Sequence, residues 1–326
     1  MRILRRTFLF AAVLLSGFLS TAPGRSAEAG DEKSPEGTRR PFLWVTEGEP
    51  RIFLFGTIHI PDERVLALPD VVKQALAASD AVFTEVTPSE LKAQETQARA
   101  LLPAGKKIED VLAPDALKRM HGYLESKHIP ATALDRFRPW AIAVTLPLLD
   151  ILPLMAAHPP MDESIFTDAK AARKEAGALE TAAEQLAVFE TMSDAVQSKL
   201  LLSSVDQLEA AAKEGKDRTQ ELIQVYLEGD DAKLRALMEE GSASDDADMK
   251  ALMKRLIDDR NVTMVDRMLE EAKKRAGKTL FVAVGAAHYP GDAGVLKLLA
   301  AKGSKVRRLE LKDTIAAKKP EPVPAK

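Results

Sequence analysis

Two segments near opposite ends of the chain share one build, and it restricts the fold more than any other feature. Arg51-Ile52-Phe53-Leu54-Phe55 runs into Gly56-Thr57-Ile58-His59, and Thr279-Leu280-Phe281-Val282-Ala283-Val284 runs into Gly285-Ala286-Ala287-His288. A short apolar run closed by a turn residue reads as a strand. Ligands of open α/β sheets bind outside the carboxyl ends of the strands, so each run aims an imidazole at that edge. Two such strands predict one shared site.

The flanking segments repeat the parallel. Pro69 to Ala78 carries apolar residues at helical spacing and leads to the strand Ala81-Val82-Phe83, which ends at Glu85. Gly294 to Ala301 is the matching helix and Lys305 to Leu311 the matching strand. Phe42 to Val45 and Arg51 to Phe55, joined by Glu47-Gly48-Glu49-Pro50, read as a hairpin. Between the two arms lie helical stretches at Pro88 to Leu102, Pro114 to Ser126, Arg138 to Leu149, Met161 to Lys174, Ala183 to Glu214, Asp217 to Glu240 and Asp248 to Ala276. Ala178 to Thr181 is the exception, a short strand presenting Glu180. The expected architecture is α/β: a mixed sheet built from both chain ends, with a large helical insertion at about 88–276 capping the site, all in one unit at 41–315.

The termini stand outside that unit. Residues 1–29 read as a signal peptide, with basic Arg2, Arg5 and Arg6, an apolar centre from Phe8 to Leu19, and a small-x-small cleavage site at Ala27-Glu28-Ala29. Export to the periplasm or the medium follows, by the general secretory route or, from Arg5-Arg6-Thr7-Phe8-Leu9, the twin-arginine route; an uncleaved anchor is the lesser reading. Residues 30–40 form a polar linker and 316–326 a solvated tail. No stable membrane insertion is expected after cleavage, because Pro147, Asp150 and Pro153 break the apolar stretch from Trp140 to Ala157.

Composition narrows the chemistry. A net charge of −3 argues against a nucleic-acid partner. The absence of cysteine removes disulfides, thiol nucleophiles and thiolate metal sites. Any metal must therefore rest on imidazole and carboxylate. His59, His288 and Glu85, which leaves the core where its strand ends, make a complete ligand set for a catalytic divalent ion such as Mn, Co or Zn. That reading places the strand before Glu85 beside the one ending at His59. Farther along, the apolar stripe Met253, Leu256, Ile257, Met264, Val265, Met268 is interrupted by Arg260 and Asn261. A charge on a buried face needs a partner, so Arg260 faces either an oxyanion or a structural carboxylate, Asp162 or Glu180. His121, His128 and His158 read as surface residues, and Ser203-Ser204 lacks a nucleophile elbow.

These residues, taken in order, resemble a known family. Leu54 to His59, Val82 to Glu85, Arg138-Pro139-Trp140, Ala178 to Thr181 with Gln185, Asp259-Arg260-Asn261, and Val282 to His288 look like successive blocks of the TraB/GumN family, related to the Tiki metalloproteases, from about Phe42 to Leu311. The resemblance implies a fold shared with erythromycin-esterase and ChaN-like proteins and, through the Tiki branch, a metal-dependent peptidase. Carried over by position, it implies His59, Glu85 and His288 as site residues with Arg260 and Asn261 nearby. Pro160-Met161-Asp162 departs from the family pattern, in which Gly precedes the Asp.

The favoured function is an exported metal-dependent hydrolase of a peptide or small molecule, with His59, Glu85 and His288 on the ion and Arg260 on the oxyanion. One alternative is a metal-free hydrolase of the erythromycin-esterase type, with a histidine as general base aided by Glu85. The other is a haem- or metal-binding protein without turnover.

Overall fold

A computed structural model describes residues 37–242 and 246–316. The signal-peptide reading of 1–29, most of the linker and nearly all of the tail fall outside the described residues.

The six strands are β1 (Leu43–Glu47), β2 (Ile52–Thr57), β3 (Ala81–Thr84), β4 (Glu175–Ala178), β5 (Leu280–Gly285) and β6 (Lys305–Arg308), and they form one sheet in the order β4-β3-β5-β2-β1-β6. The pairs β2–β5, β3–β5 and β3–β4 are parallel, and β1 is antiparallel to both β2 and β6. The α/β class and the mixed sheet from both chain ends are therefore as expected. Every residue of β2 and β5 is buried, which is why these strands read as unbroken apolar runs rather than alternating ones. The edge strands β4 and β6 are only partly buried.

One neighbour relation differs from expectation. β5, not β2, lies beside β3, so the strand ending near His288 is inserted between those leading to His59 and Glu85. In the β2–β5 ladder Gly56 pairs with Val284 and Thr57 with Gly285. The two Gly-x-x-His blocks thus run side by side, one residue out of step.

That offset gives the two glycines different tasks. A Cβ on Gly56 would lie 2.8 Å from Phe42 Cβ and 3.0 Å from Ala286 Cα, so the glycine is needed for close packing. A Cβ on Gly285 would instead point among the site residues. After β2 the chain bends at His59; after β5 it makes a 3₁₀ turn, Ala286–His288.

Local chemistry divides the long helical stretches more finely than periodicity indicates. Pro88 to Leu102 becomes Pro88–Leu91 and Gln94–Arg99. Ala183 to Glu214 becomes Ala182–Glu190 and Asp194–Lys213, because Ser193 accepts from Val196 N–H and starts a new helix. Gly229, in the left-handed conformation at φ 65°, ends Arg218–Glu228 before Asp231–Ser242. Ile257, at φ −120°, separates Ala247–Leu256 from Asp258–Lys274. The short strand lies at Glu175–Ala178, earlier than expected, so Glu180 follows it instead of sitting within it. β6 ends three residues before Leu311.

The buried apolar residues form two clusters. One joins both faces of the sheet to the helices over it, including Met161–Ala171, which packs on β3, β4 and β5. The other is helical and centres on Trp140, whose ring stacks on Phe189 at 5.1 Å between Pro139–Thr145 and its neighbours. Residues 139–171 are long and apolar enough to cross a bilayer by length and composition. They are nevertheless broken into Pro139–Thr145, a 3₁₀ turn at Leu146–Ile151, Leu152–Ala157 and Met161–Ala171, and over half of the most apolar window is buried within the protein.

Gly56→Ala should destabilise the protein by about 1–3 kcal/mol, since the added methyl overpacks the contact among Phe42, Gly56 and Ala286. Urea unfolding followed by far-ultraviolet circular dichroism measures this; an unchanged midpoint would contradict the packing account.

Candidate active site

The site forms where β2, β3 and β5 end. Glu85 follows β3, His288 closes the 3₁₀ turn after β5, and His59 stands two residues beyond β2. Measured from the position a Cβ on Gly285 would occupy, Glu85 Oε1 lies at 3.2 Å, His288 Cδ2 at 3.5 Å and His59 Nε2 at 3.9 Å. Three groups from three strands therefore surround one point. Gly285 has an ordinary φ of −50°, so its lack of a side chain serves space and not backbone conformation.

Each imidazole is held through Nδ1. Asn261 Nδ2 donates to the Ala293 carbonyl at 2.9 Å, which fixes the amide and turns its Oδ1 toward His288 Nδ1 at 2.6 Å. His288 Nδ1 must then carry the proton, leaving Nε2 as a lone pair. Burial, opposed by the Glu85 carboxylate and reinforced by Arg260, pushes this histidine down to about 4, so it is neutral at physiological pH. His59 Nδ1 faces Asp162 Oδ2 at 2.6 Å, an ion-pair contact rather than a well-aligned hydrogen bond. Asp162 is itself held by Thr57 Oγ1, which donates to Oδ1 at 2.6 Å. Burial alone would lower His59, but the charge and contact of Asp162, with a contribution from Glu85, outweigh it and raise the imidazole above its ordinary 6.5. Both Nε2 atoms are buried without a hydrogen-bond partner. Buried nitrogens of this kind are rare and call for an explanation.

Glu85 is bound on all sides. Its Oε1 accepts from Gly285 N–H at 2.7 Å and lies 3.8 Å from His288 Nε2. Its Oε2 accepts from Arg260 Nη2 at 2.5 Å and Gln185 Nε2 at 3.1 Å. Burial would raise this carboxyl, but the charge of Arg260, then of the histidines, and the Gly285 N–H hold it ionised far below the usual carboxylate range. Arg260 also donates to Glu180 from Nη2 at 2.7 Å and from Nε at 3.0 Å, and from Nη1 to the Leu256 carbonyl at 3.1 Å.

These contacts revise the expectation for Arg260. Of its two anticipated structural partners it meets Glu180 and not Asp162, and it adds Glu85. With its Nε, Nη1 and Nη2 all engaged and only 6% of the side chain exposed, it stands behind the carboxylate and sets its charge. Asn261 lies beside His288. Asp162 and Gln185, the one anticipated beside Arg260 and the other present in a family block, meet partners that the sequence did not assign, His59 and Glu85: both lie on helical stretches and are brought in by tertiary packing. The surface histidines stay away, with His121 on Asp135 and His158 near Glu63.

Among the described residues no three His, Asp or Glu side chains are drawn together as a finished metal cage. The donor chemistry nevertheless fits a divalent ion: two partnerless imidazole nitrogens, each oriented by a hydrogen-bonding or charged neighbour, plus an ionised carboxylate.

Comparison with known proteins follows the same lines. The chain is 26% identical to a protein named metalloprotease TIKI1 from Danio rerio, the match spanning 84% of this chain but 64% of that protein. It is 25% identical to a metalloprotease TIKI homolog from Amphimedon queenslandica, over 94% of this chain and 68% of that one, and 26% identical to metalloprotease TIKI2 from Xenopus tropicalis, over 93% and 66%. No solved structure matches. The model of the TraB/PrgY/gumN family matches residues 42–308, a span containing every strand and every site residue described above, and the chain belongs to that family.

Proposed function

We propose that the chain is an exported metal-dependent hydrolase of peptides, with a divalent ion held by His59, His288 and Glu85. One observation carries the reading: the rings of His59 and His288, whose Nε2 atoms are buried and without partners, meet an ionised carboxylate at the space beside Gly285. The shared name of the relatives, metalloprotease, supports it. When bound, such an ion acidifies water and polarises a carbonyl.

The protein's own residues prepare the site in three ways. Asn261 and Asp162 fix the ring orientations, so the nitrogens are directed before any ligand arrives. Arg260, Gln185 and the Gly285 N–H hold Glu85 as a carboxylate in surroundings that would otherwise protonate it. Glu85 and Glu180 share the single guanidinium of Arg260, so two acidic side chains face one cation in this buried cluster, a balance that favours a further cation. Asp162 and Glu163 line the cavity of about 50 Å³ that also reaches His59 and Glu85, paired there with His59 and Lys92.

A specific contact also favours the metal-free alternative. His59 backed by Asp162 is a base with its orienting carboxylate, the arrangement that activates water or a hydroxyl without a metal. Hydrolysis that survives exhaustive chelation would select it.

Purified protein should take up about one equivalent of Mn, Co or Zn, and His59→Ala and His288→Ala should each lose that uptake while keeping the wild-type circular dichroism spectrum. Normal metal content in both variants, measured by plasma emission spectroscopy, would count against the reading.

Affinity should also depend on pH in a defined direction. His59, raised above 6.5, must release its proton to ligate, whereas His288 does not compete for one until about pH 4. Affinity should therefore already weaken as pH falls through neutrality, with a slope of about one proton per ion, and steepen only near the lower value. Calorimetric titration between these limits tests it; a flat profile would place the ion elsewhere.

A further inference from the structure

The space around the two histidines opens into two cavities that share apolar walls and differ in how many charged side chains they hold. One, of about 50 Å³, sets His59, Glu85, Asp162 and the ion pair of Lys92 with Glu163 against Val86, Pro88 and Leu91. The other, of about 30 Å³, is walled by Leu222, Tyr226, Leu234, Ile257, Ala286 and Ala287, with His59, Gly285 and His288 completing its lining. Its polar side chains are already engaged: Tyr226 Oη donates to the Gly56 carbonyl at 2.8 Å, and Thr57 Oγ1 donates to Asp162. Burial holds the Tyr226 phenol well above its ordinary value, so it stays neutral. Apart from the two imidazole nitrogens, no side chain of the wall offers a free partner to a polar or charged guest.

We propose that this apolar cavity is the subsite for a short aliphatic side chain of the substrate, of the valine or leucine class. The inference rests on the hydrolase reading of the site and names its specificity. Two observations fix the occupant. His59 and His288 belong to the lining of the cavity, so a side chain lodged in it lies directly against the reacting centre. Its size, on the order of two water-sized bodies, suits a few methyl or methylene groups and not an indole. A charged or amide side chain would lose its hydration there without replacement, and a glycine would leave the wall uncovered.

The wall is also non-local. Leu222 and Tyr226 come from Arg218–Glu228, Leu234 from Asp231–Ser242, Ile257 from the break between two helices, and Ala286 and Ala287 from the turn after β5. The helical section thus supplies selectivity while the strand ends supply the chemistry.

The test uses the full chain, metal-free and Zn-loaded, titrated calorimetrically with the N-acetyl amides of Gly, Val, Leu, Trp, Asp and Lys. A peptide series varied at the same side chain is assayed for cleavage in parallel. The Val and Leu probes should bind at least about tenfold tighter than the others, the range a hydrophobic pocket gives for a few methylenes. Ala287→Leu, which fills the cavity from a half-buried wall position, should erase that preference. Ile257→Ala, also half-buried, should enlarge the cavity and raise Trp relative to Val by a similar factor, so a folding defect in one variant leaves the other to decide. Binding indifferent to the side chain, or a preference unchanged in both folded variants, would overturn the proposal. Aliphatic preference in binding with no peptide cleaved supports the subsite and defeats the hydrolase reading; cleavage indifferent to the side chain does the reverse.

Discussion

The structure depends on a buried charge network in which Arg260 joins Glu85 and Glu180. Three charged side chains, each less than 10% exposed, are removed from water together. Desolvating each costs several kcal/mol, and only complete pairing with good geometry offsets it. Here the guanidinium meets both carboxylates and the Leu256 carbonyl, and Gln185 bridges Glu85 and Glu180. Removing one member of such a set leaves an uncompensated buried charge, typically costing about 3–5 kcal/mol. The network links helix Asp258–Lys274 to the segments after β3 and β4. Its cost to folding is accepted where it keeps a carboxylate ionised beside two histidines.

The same helix acts on the other side of the site through Asn261. Adjacent residues in one turn thus serve two roles: Arg260 sets the charge of Glu85, and Asn261 sets the tautomer of His288. Their backbone neighbour Ile257 borders the apolar cavity. A rigid element carrying several orienting groups holds a site more tightly than separate loops would.

The paired Gly-x-x-His blocks illustrate how a repeated local pattern acquires different meanings. One residue of register between β2 and β5 places Gly56 against Phe42 and Ala286, where it permits close packing, and Gly285 against Glu85 and His288, where it keeps space open. The histidines differ too. His288 is buried, neutral and held by an amide; His59 is partly exposed, raised in pKa and held by a carboxylate. Similar sequence therefore produced an asymmetric site.

Much of this was legible from residues alone. The two apolar strands, the hairpin at the first of them, the placement of His59, His288 and Glu85 at the carboxyl edge, and the need of Arg260 for a negative partner all follow from local apolar patterning and the cost of buried charge. The insertion of β5 between β2 and β3, the breaks at Ser193 and Ile257, and the recruitment of Asp162 and Gln185 were not legible. Each depends on which distant segment becomes a neighbour: Glu85 and Arg260 are 175 positions apart, and Thr57 and Asp162 are 105. Sequence by itself determined which residues could not remain in water or in the core without help. Only the tertiary structure decided which groups gave that help, because hydrogen bonds and ion pairs act over a few ångströms of space regardless of distance along the chain.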